Sequence, residues 1–108
     1  MKIKRRYLAL KIDSGENFSS KELMETIWAA FLRLFGEYGA SKVGLTLIEY
    51  YAEKRLAIIR VAHAEVEKVR AALASITKIV AEPAAVHVLT VSGTLRALHD
   101  KIKSLLGE

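Results

Sequence analysis

Hydrophobic and polar positions change their repeat several times along this chain, and each change marks an element. Residues 3–12 alternate, with Leu8, Leu10 and Ile12 on one side and Tyr7, Ala9 and Lys11 on the other. That period of two predicts a strand with one face on a core. Turn-forming residues at 13–17 end it. From residue 20 the repeat lengthens to the helical one: Leu23, Ile27, Phe31 and Leu34 form a seam, and Met24, Trp28, Leu32 and Phe35 widen it beyond what one buried face of a small helix needs. Ser19 and Glu22 have capping-box spacing, and Phe18 and Leu23 have the spacing of a hydrophobic staple, so the helix is predicted to start at Ser20. Gly36 and Gly39 predict its end, with the helix running to about Gly36.

Two runs rich in Val, Ile, Leu and Tyr, 43–51 and 54–62, flank a short polar break at 52–54 and predict a hairpin. A second helix is expected over about 64–77, with Val66, Val69, Leu73 and Ile76 inward and Glu65, Glu67, Lys68 and Arg70 outward. After the single proline, Pro83, residues 85–91 predict a fourth strand. Thr94 then caps a third helix with the seam Leu95, Leu98, Ile102 and Leu105. The order is βαββαβ plus a terminal helix. Right-handed crossovers favour an α+β fold, a ferredoxin-like, RRM-like sheet of four antiparallel strands with the first two helices on one face. If Leu8, Leu10 and Ile12 pack under those helices beside Ala57, Ile59 and Val61, the other face carries Tyr7, Ala9, Lys11, Leu56, Ile58 and Arg60. Such a face is too apolar for open water, and the terminal helix or a partner is expected to cover it.

Length bounds the architecture to one domain over residues 1–108. Although 52% of residues are hydrophobic and mean hydropathy is +0.20, no run approaches the roughly 20 apolar residues of a membrane span. The N-terminus enters a strand pattern without the apolar core of a signal peptide, so a cytoplasmic protein is expected. The absence of cysteine excludes disulfides and thiolate chemistry. No glutamine and a single asparagine, Asn17, lean toward a thermophilic source.

Charge changes the picture more. A formal +5 and a pI near 9.6 favour a polyanionic partner. Lys2, Lys4, Arg5 and Arg6 precede the first carboxylate, Asp13, and form a basic arm leading into the first strand. Arg60 extends this arm if the third strand lies beside the first. The candidate polyanion-binding residues, RNA-binding if the polyanion is RNA, are Lys4, Arg5, Arg6 and Arg60, with Lys42, Arg33, Arg70 and Arg96 as the place to look if the arm is merely solvated. Candidate partner contacts are Trp28 and Phe35 on the first helix and Leu56 and Ile58 on the open sheet face.

Candidate chemistry is sparse. His63, His87 and His99 show no metal-ligand spacing, and Glu49, Glu53 and Glu65 fall at a strand end, a hairpin and a helix start, where solvated carboxylates are ordinary. RNA-recognition modules that stack bases carry aromatics in the third strand, whereas KRLAIIRVA has none, so RNA contact is expected at the backbone rather than by stacking on that strand. SGT at 92–94 reads as a strand-to-helix turn with a cap, the alternative being backbone amides presented to phosphate.

KRRYLALKI, IWAAFLRLFGEYGASKVGLTLI, IIRV, VRAALASI and VHVLTVSGTLRAL, in that order, resemble the archaeal ribonuclease P protein component 2 family over most of the chain. The long central stretch is the specific part. The resemblance implies an RRM-like α/β sandwich and a noncatalytic subunit of a ribonucleoprotein whose RNA removes the 5′ leader of precursor tRNA. It further implies ribonuclease P RNA and the TIM-barrel protein component 3 as partners, and allows a homodimer within a heterotetramer. No catalytic residue, metal site or cofactor of this chain follows from it, Mg2+ being a requirement of the RNA. The alternatives are a small ferredoxin-like enzyme of acylphosphatase type, which needs an Arg and Asn pair where this chain has only Asn17 in a turn, and a regulatory small-molecule-binding domain, whose Gly-rich interface loop is not evident.

Overall fold

The alternating and helical repeats become β1 (Arg5–Ser14), α1 (Ser20–Val43), β2 (Thr46–Tyr51), β3 (Leu56–Ala62), a 3-10 turn (His63–Glu65), α2 (Val66–Ala74), β4 (Lys78–Ile79), β5 (Glu82–Ser92) and α3 (Leu95–Leu106). The computed structural model describes residues 4–106, the side chain of Tyr38 apart, so Lys2 and Ile3 of the expected arm and strand lie outside the described residues. All strand pairs are antiparallel, in the order β2-β3-β1-β5-β4. The expected four-stranded order is present, and β4 adds a fifth, two-residue strand that pairs Lys78 with Pro83 and Ile79 with Glu82. Pro83 is tolerated because it sits at the outer end of the sheet; the next amide, Ala84 N–H, donates to Thr77 O at 3.0 Å.

Face assignment follows the sequence period. Leu8, Leu10 and Ile12, with Ala57, Ile59 and Val61, are buried against Leu23, Ile27 and Phe31 of α1 and Val69, Ala72 and Leu73 of α2. The opposite face is covered by α3. Ala9, Leu56 and Ile58 pack with Leu98 and Ile102 in a second core. The terminal helix therefore conceals the apolar face that the sequence left open. Two irregular registers enlarge this core. One residue of β5 is extra between the pairs Ala9↔Thr90 and Leu10↔Val88, and one of β2 between Leu47↔Ile59 and Glu49↔Ile58. The extra residues, Leu89 and Ile48, both pack into the α3 core.

Helix α1 departs most from expectation. Its start is as predicted: Ser19 Oγ accepts from Glu22 N–H at 3.1 Å and Glu22 Oε1 accepts from Ser19 N–H at 2.8 Å. At Gly36 the backbone turns to φ 70°, ψ 179°, so the first helical segment ends there as expected, but a second helical segment follows it in place of the strand. Helical structure resumes to Val43, and Gly44 in the left-handed region (φ 61°) makes the real stop. Gly39 allows the two segments to close on each other, since a Cβ there would lie 3.0 Å from Phe35 Cβ. Consequently β2 begins at Thr46 rather than at residue 43. The second helix is shorter than expected: residues 63–65 form a 3-10 turn, and Ser75 ends α2 by donating its hydroxyl to Ala72 O at 2.6 Å.

Candidate nucleic-acid interface and partner surface

The sheet places the sequence-predicted cations at one end but divides them between its faces. Tyr7 pairs with Arg60 and Arg5 with Ala62, so Arg5 and Arg60 share the α3 face. Arg6 is one residue out of phase. Its Nη1 donates to Arg5 O at 2.9 Å, and its guanidinium lies 3.7 Å from where a Cβ on Gly93 would stand. It lines a recess with His63, Val66, Glu67 and Val91 on the helical side. Lys4 is exposed, while its carbonyl accepts from His63 N–H at 2.7 Å and holds the strand's entry to the start of the 3-10 turn.

Among the described residues none of these four cations has a carboxylate partner. The acids of the following helix are already engaged along its own surface, Glu65 by Lys68 at 3.3 Å and Glu67 by Arg70 at 3.8 Å. Arg60 is half-buried, and its Nε has no hydrogen-bond partner in the protein. That nitrogen is itself buried, so what Arg60 offers an incoming phosphate is a guanidinium charge with no carboxylate beside it. The four alternative cations are spread over the helices instead. Arg33 donates to Ser75 Oγ at 3.2 Å, Arg70 pairs with Glu67, Arg96 is exposed on the first turn of α3, and Lys42 lies in the last turn of α1.

The predicted partner surface needs correcting. Leu56 and Ile58 are buried, Ile58 completely, because α3 seats Leu98 and Ile102 on them. They are core residues, not contacts for another protein with α3 in place. Trp28 and Phe35 remain half-exposed on α1 and pack partly against the main core. Phe35 meets Phe31 with ring centroids 4.9 Å apart, and Leu32, one turn beyond Trp28, is 40% exposed. The apolar surface of α1 is thus a strip through Met24, Trp28, Leu32 and Phe35, the widening of the stripe seen in the sequence.

Glu49 has a different place from the solvated strand end expected of it. Tyr51 donates its hydroxyl to Glu49 Oε1 at 3.0 Å, and His99 Nε2 of α3 lies 2.8 Å from Oε2. The phenol of Tyr51 is raised above the ordinary tyrosine value, first by this hydrogen bond and then by desolvation and the Glu49 charge. Sequence reasoning missed this link because the β2 register shift is invisible in the period. The position of His99 on the helical seam, four residues after Leu95, was the available signal. Among the described residues no three His, Asp or Glu side chains come together as metal ligands. No helix among them is long and apolar enough to cross a membrane.

The Rpp14/Pop5 family pattern matches residues 6–103. The chain belongs to the Rpp14/Pop5 family. Arg60, Trp28, Phe35 and Glu49 lie inside the matched span of this Rpp14/Pop5 chain, and Lys4 and Arg5 just before it. It is 36% identical over 104 residues to the ribonuclease P protein component 2 of Pyrococcus furiosus, covering 96% of this chain and 87% of that protein. The component 2 proteins of Pyrococcus abyssi and Methanosarcina barkeri are 34% and 31% identical, over 96% and 94% of this chain and 88% and 73% of theirs. A chain in the cryo-EM structure of yeast ribonuclease MRP superposes with a TM-score of 0.67 over 99% of this chain and 94% of that one. At 19% identity that likeness shows a shared fold.

Proposed function

We propose that this Rpp14/Pop5 chain is a protein subunit of ribonuclease P that assists the RNA catalyst in removing the 5′ leader of precursor tRNA and supplies no catalytic group itself. The observation that carries the reading is the match, at about a third identity and nearly full length, to archaeal ribonuclease P protein component 2. The uncompensated cations at the end of β1 and β3 support it, since backbone phosphates are what Lys and Arg without acidic partners hold best. In this reading Lys4, Arg5 and Arg60 contact ribonuclease P RNA, Mg2+ serves the RNA, and the protein works in the cytoplasm.

The α1 strip containing Trp28 and Phe35 supports a protein partner, for which component 3, the TIM-barrel subunit named by the family resemblance, is the candidate. Interfaces are anchored by such half-buried aromatics with aliphatic neighbours. Reconstitution tests the whole: this chain mixed with cognate RNA and component 3 should raise precursor-tRNA cleavage, while the chain alone should cleave nothing. Leader removal by the RNA-free protein would reverse the assignment.

A further inference from the structure

The β2–β3 turn and α3 enclose a second feature that the RNA reading does not use. Between them is a recess of about 170 Å³ lined by Tyr51, Lys54, His99, Ile102, Lys103 and Leu106, among others. A more open recess of about 310 Å³, formed by residues 51–54, shares Tyr51 and Lys54 with it. Tyr51 is 40% exposed, the one exposed Phe, Tyr or Trp among the described side chains. Its hydroxyl is tied to Glu49, and Glu49 in turn meets His99 on the opposite wall. These contacts run from β2 to α3 across the recess.

Charge identifies the occupant. Lys54 and Lys103 line the recess, and Lys11 Nζ donates to Lys54 O at 2.9 Å, bringing a third ammonium to the same turn. None of the three has a carboxylate partner among the described residues. Of the nearby acids, Glu49 accepts from the Tyr51 hydroxyl and lies beside His99, and Glu53 is exposed in the turn. An apolar floor, an exposed ring and surplus lysines together suit a planar ring carrying a phosphate.

We propose that this groove takes one unpaired nucleotide of RNA, its base against Tyr51 and its phosphate toward Lys54 and Lys103. The proposal rests on the reading of this chain as an RNA-bound subunit and assigns that RNA a single-stranded element. A paired base cannot enter a concave recess, whereas an unstacked one finds a π face there without regard to sequence. The absence of aromatics in β3 is then no obstacle, because the stacking ring is at the end of β2. Glu49 is a positioning residue that holds the ring.

The test uses the full chain with labelled hexauridine, a blunt RNA duplex and a hexauridine carrying 4-thiouridine. Tyr51→Phe keeps the stacking face and loses only the tie to Glu49, so it should bind hexauridine more weakly than the parent and more tightly than Tyr51→Ala. Tyr51→Ala should bind it about five- to tenfold more weakly, as loss of one base–aromatic stack implies, with duplex affinity unchanged. The pair Lys54→Glu and Lys103→Glu should weaken hexauridine binding further and flatten its salt dependence. Photocrosslinks should map to 51–54 and α3. If Tyr51→Ala loses its melting transition, the exposed Lys54→Glu carries the test. Unchanged hexauridine affinity in Tyr51→Ala and in the lysine pair overturns the groove. So does an equal loss for duplex and single strand, or capture of an extended apolar peptide that hexauridine does not displace. Should Arg5→Gln and Arg60→Gln weaken RNA binding while the groove variants do not, the groove fails and the subunit reading stands. A parent protein that binds neither RNA and stimulates no precursor-tRNA cleavage sinks both.

Discussion

Dividing the basic arm between two faces of the sheet makes the RNA contact testable one face at a time. Arg5 and Arg60 share the α3 face through the β1–β3 register, and Arg6, one residue out of phase, folds back on Arg5 O and toward Gly93. Replacement by glutamine keeps most of each stem and removes the charge. The backbone bonds of the β1–β3 ladder involve no side chain, so the fold should persist. Taking the double-helical value known for B-DNA, each phosphate contact contributes about 0.9 to the slope of log affinity against log salt. Losing two should therefore flatten the slope by about 1.8, so that between 0.05 and 0.2 M salt the double variant loses roughly twelvefold less affinity than the parent does. Arg6→Gln should change the slope by well under one contact. Equilibrium binding to the cognate RNA across four salt concentrations, with melting curves to verify folding, measures both. A slope change for Arg6→Gln equal to that of the Arg5 and Arg60 pair would refute the face assignment. An unchanged slope in both variants would place the RNA surface elsewhere, with Lys42, Arg33, Arg70 and Arg96 next in line.

Val80 and Ala81, at φ 49° and 70°, form the two-residue connection between β4 and β5, where a left-handed backbone costs ordinary residues about 1–2 kcal/mol each. Val80→Asn with Ala81→Gly should stabilise the protein by about 1–2 kcal/mol after the unfolded-state entropy of glycine is counted, raising Tm by about 4–8 °C per kcal/mol; a Tm that is unchanged or lower contradicts the strained turn. Tyr50 donates its hydroxyl to Phe18 O at 2.6 Å, and its phenol is raised above 10.0, mainly by burial, with Glu22 adding to the shift and Arg55 opposing it. A folded-state value above the unfolded one means stability that is complete below about pH 10 and lost as pH rises through the folded value. Urea titrations should therefore show a decline on the alkaline side that Tyr50→Phe reduces, and an identical decline in both proteins would remove the assignment.

Much of the fold was legible because its signals are local. The capping box at Ser19 and Glu22 is a contact across one turn, and the period of two in β1 sorts Leu8, Leu10 and Ile12 from Tyr7, Ala9 and Lys11 without any knowledge of the partner strand. The helix-to-strand boundary after Gly36 was misplaced for a physical reason. A glycine at positive φ interrupts a helix equally well whether the chain then leaves or resumes it, and only the packing allowed by Gly39 against Phe35 selects resumption. The two-residue β4 has no period to detect.

Sequence by itself determined which residues are apolar on which face, the order of elements, and a cluster of cations beside the first strand; these depend on side-chain identity and spacing along a single element. Tertiary structure decided what meets what. It put Leu98 and Ile102 over Leu56 and Ile58, turning an expected partner surface into a second core, because an apolar sheet face and an apolar helix seam lower their free energy whether they meet each other or another chain, and the alternation is the same in both cases. It separated Arg6 from Arg5 and Arg60 through the pleat. It also brought Glu49, Tyr51 and His99 together, because a shifted strand register and a helix laid across it set distances between residues that no spacing along the chain encodes.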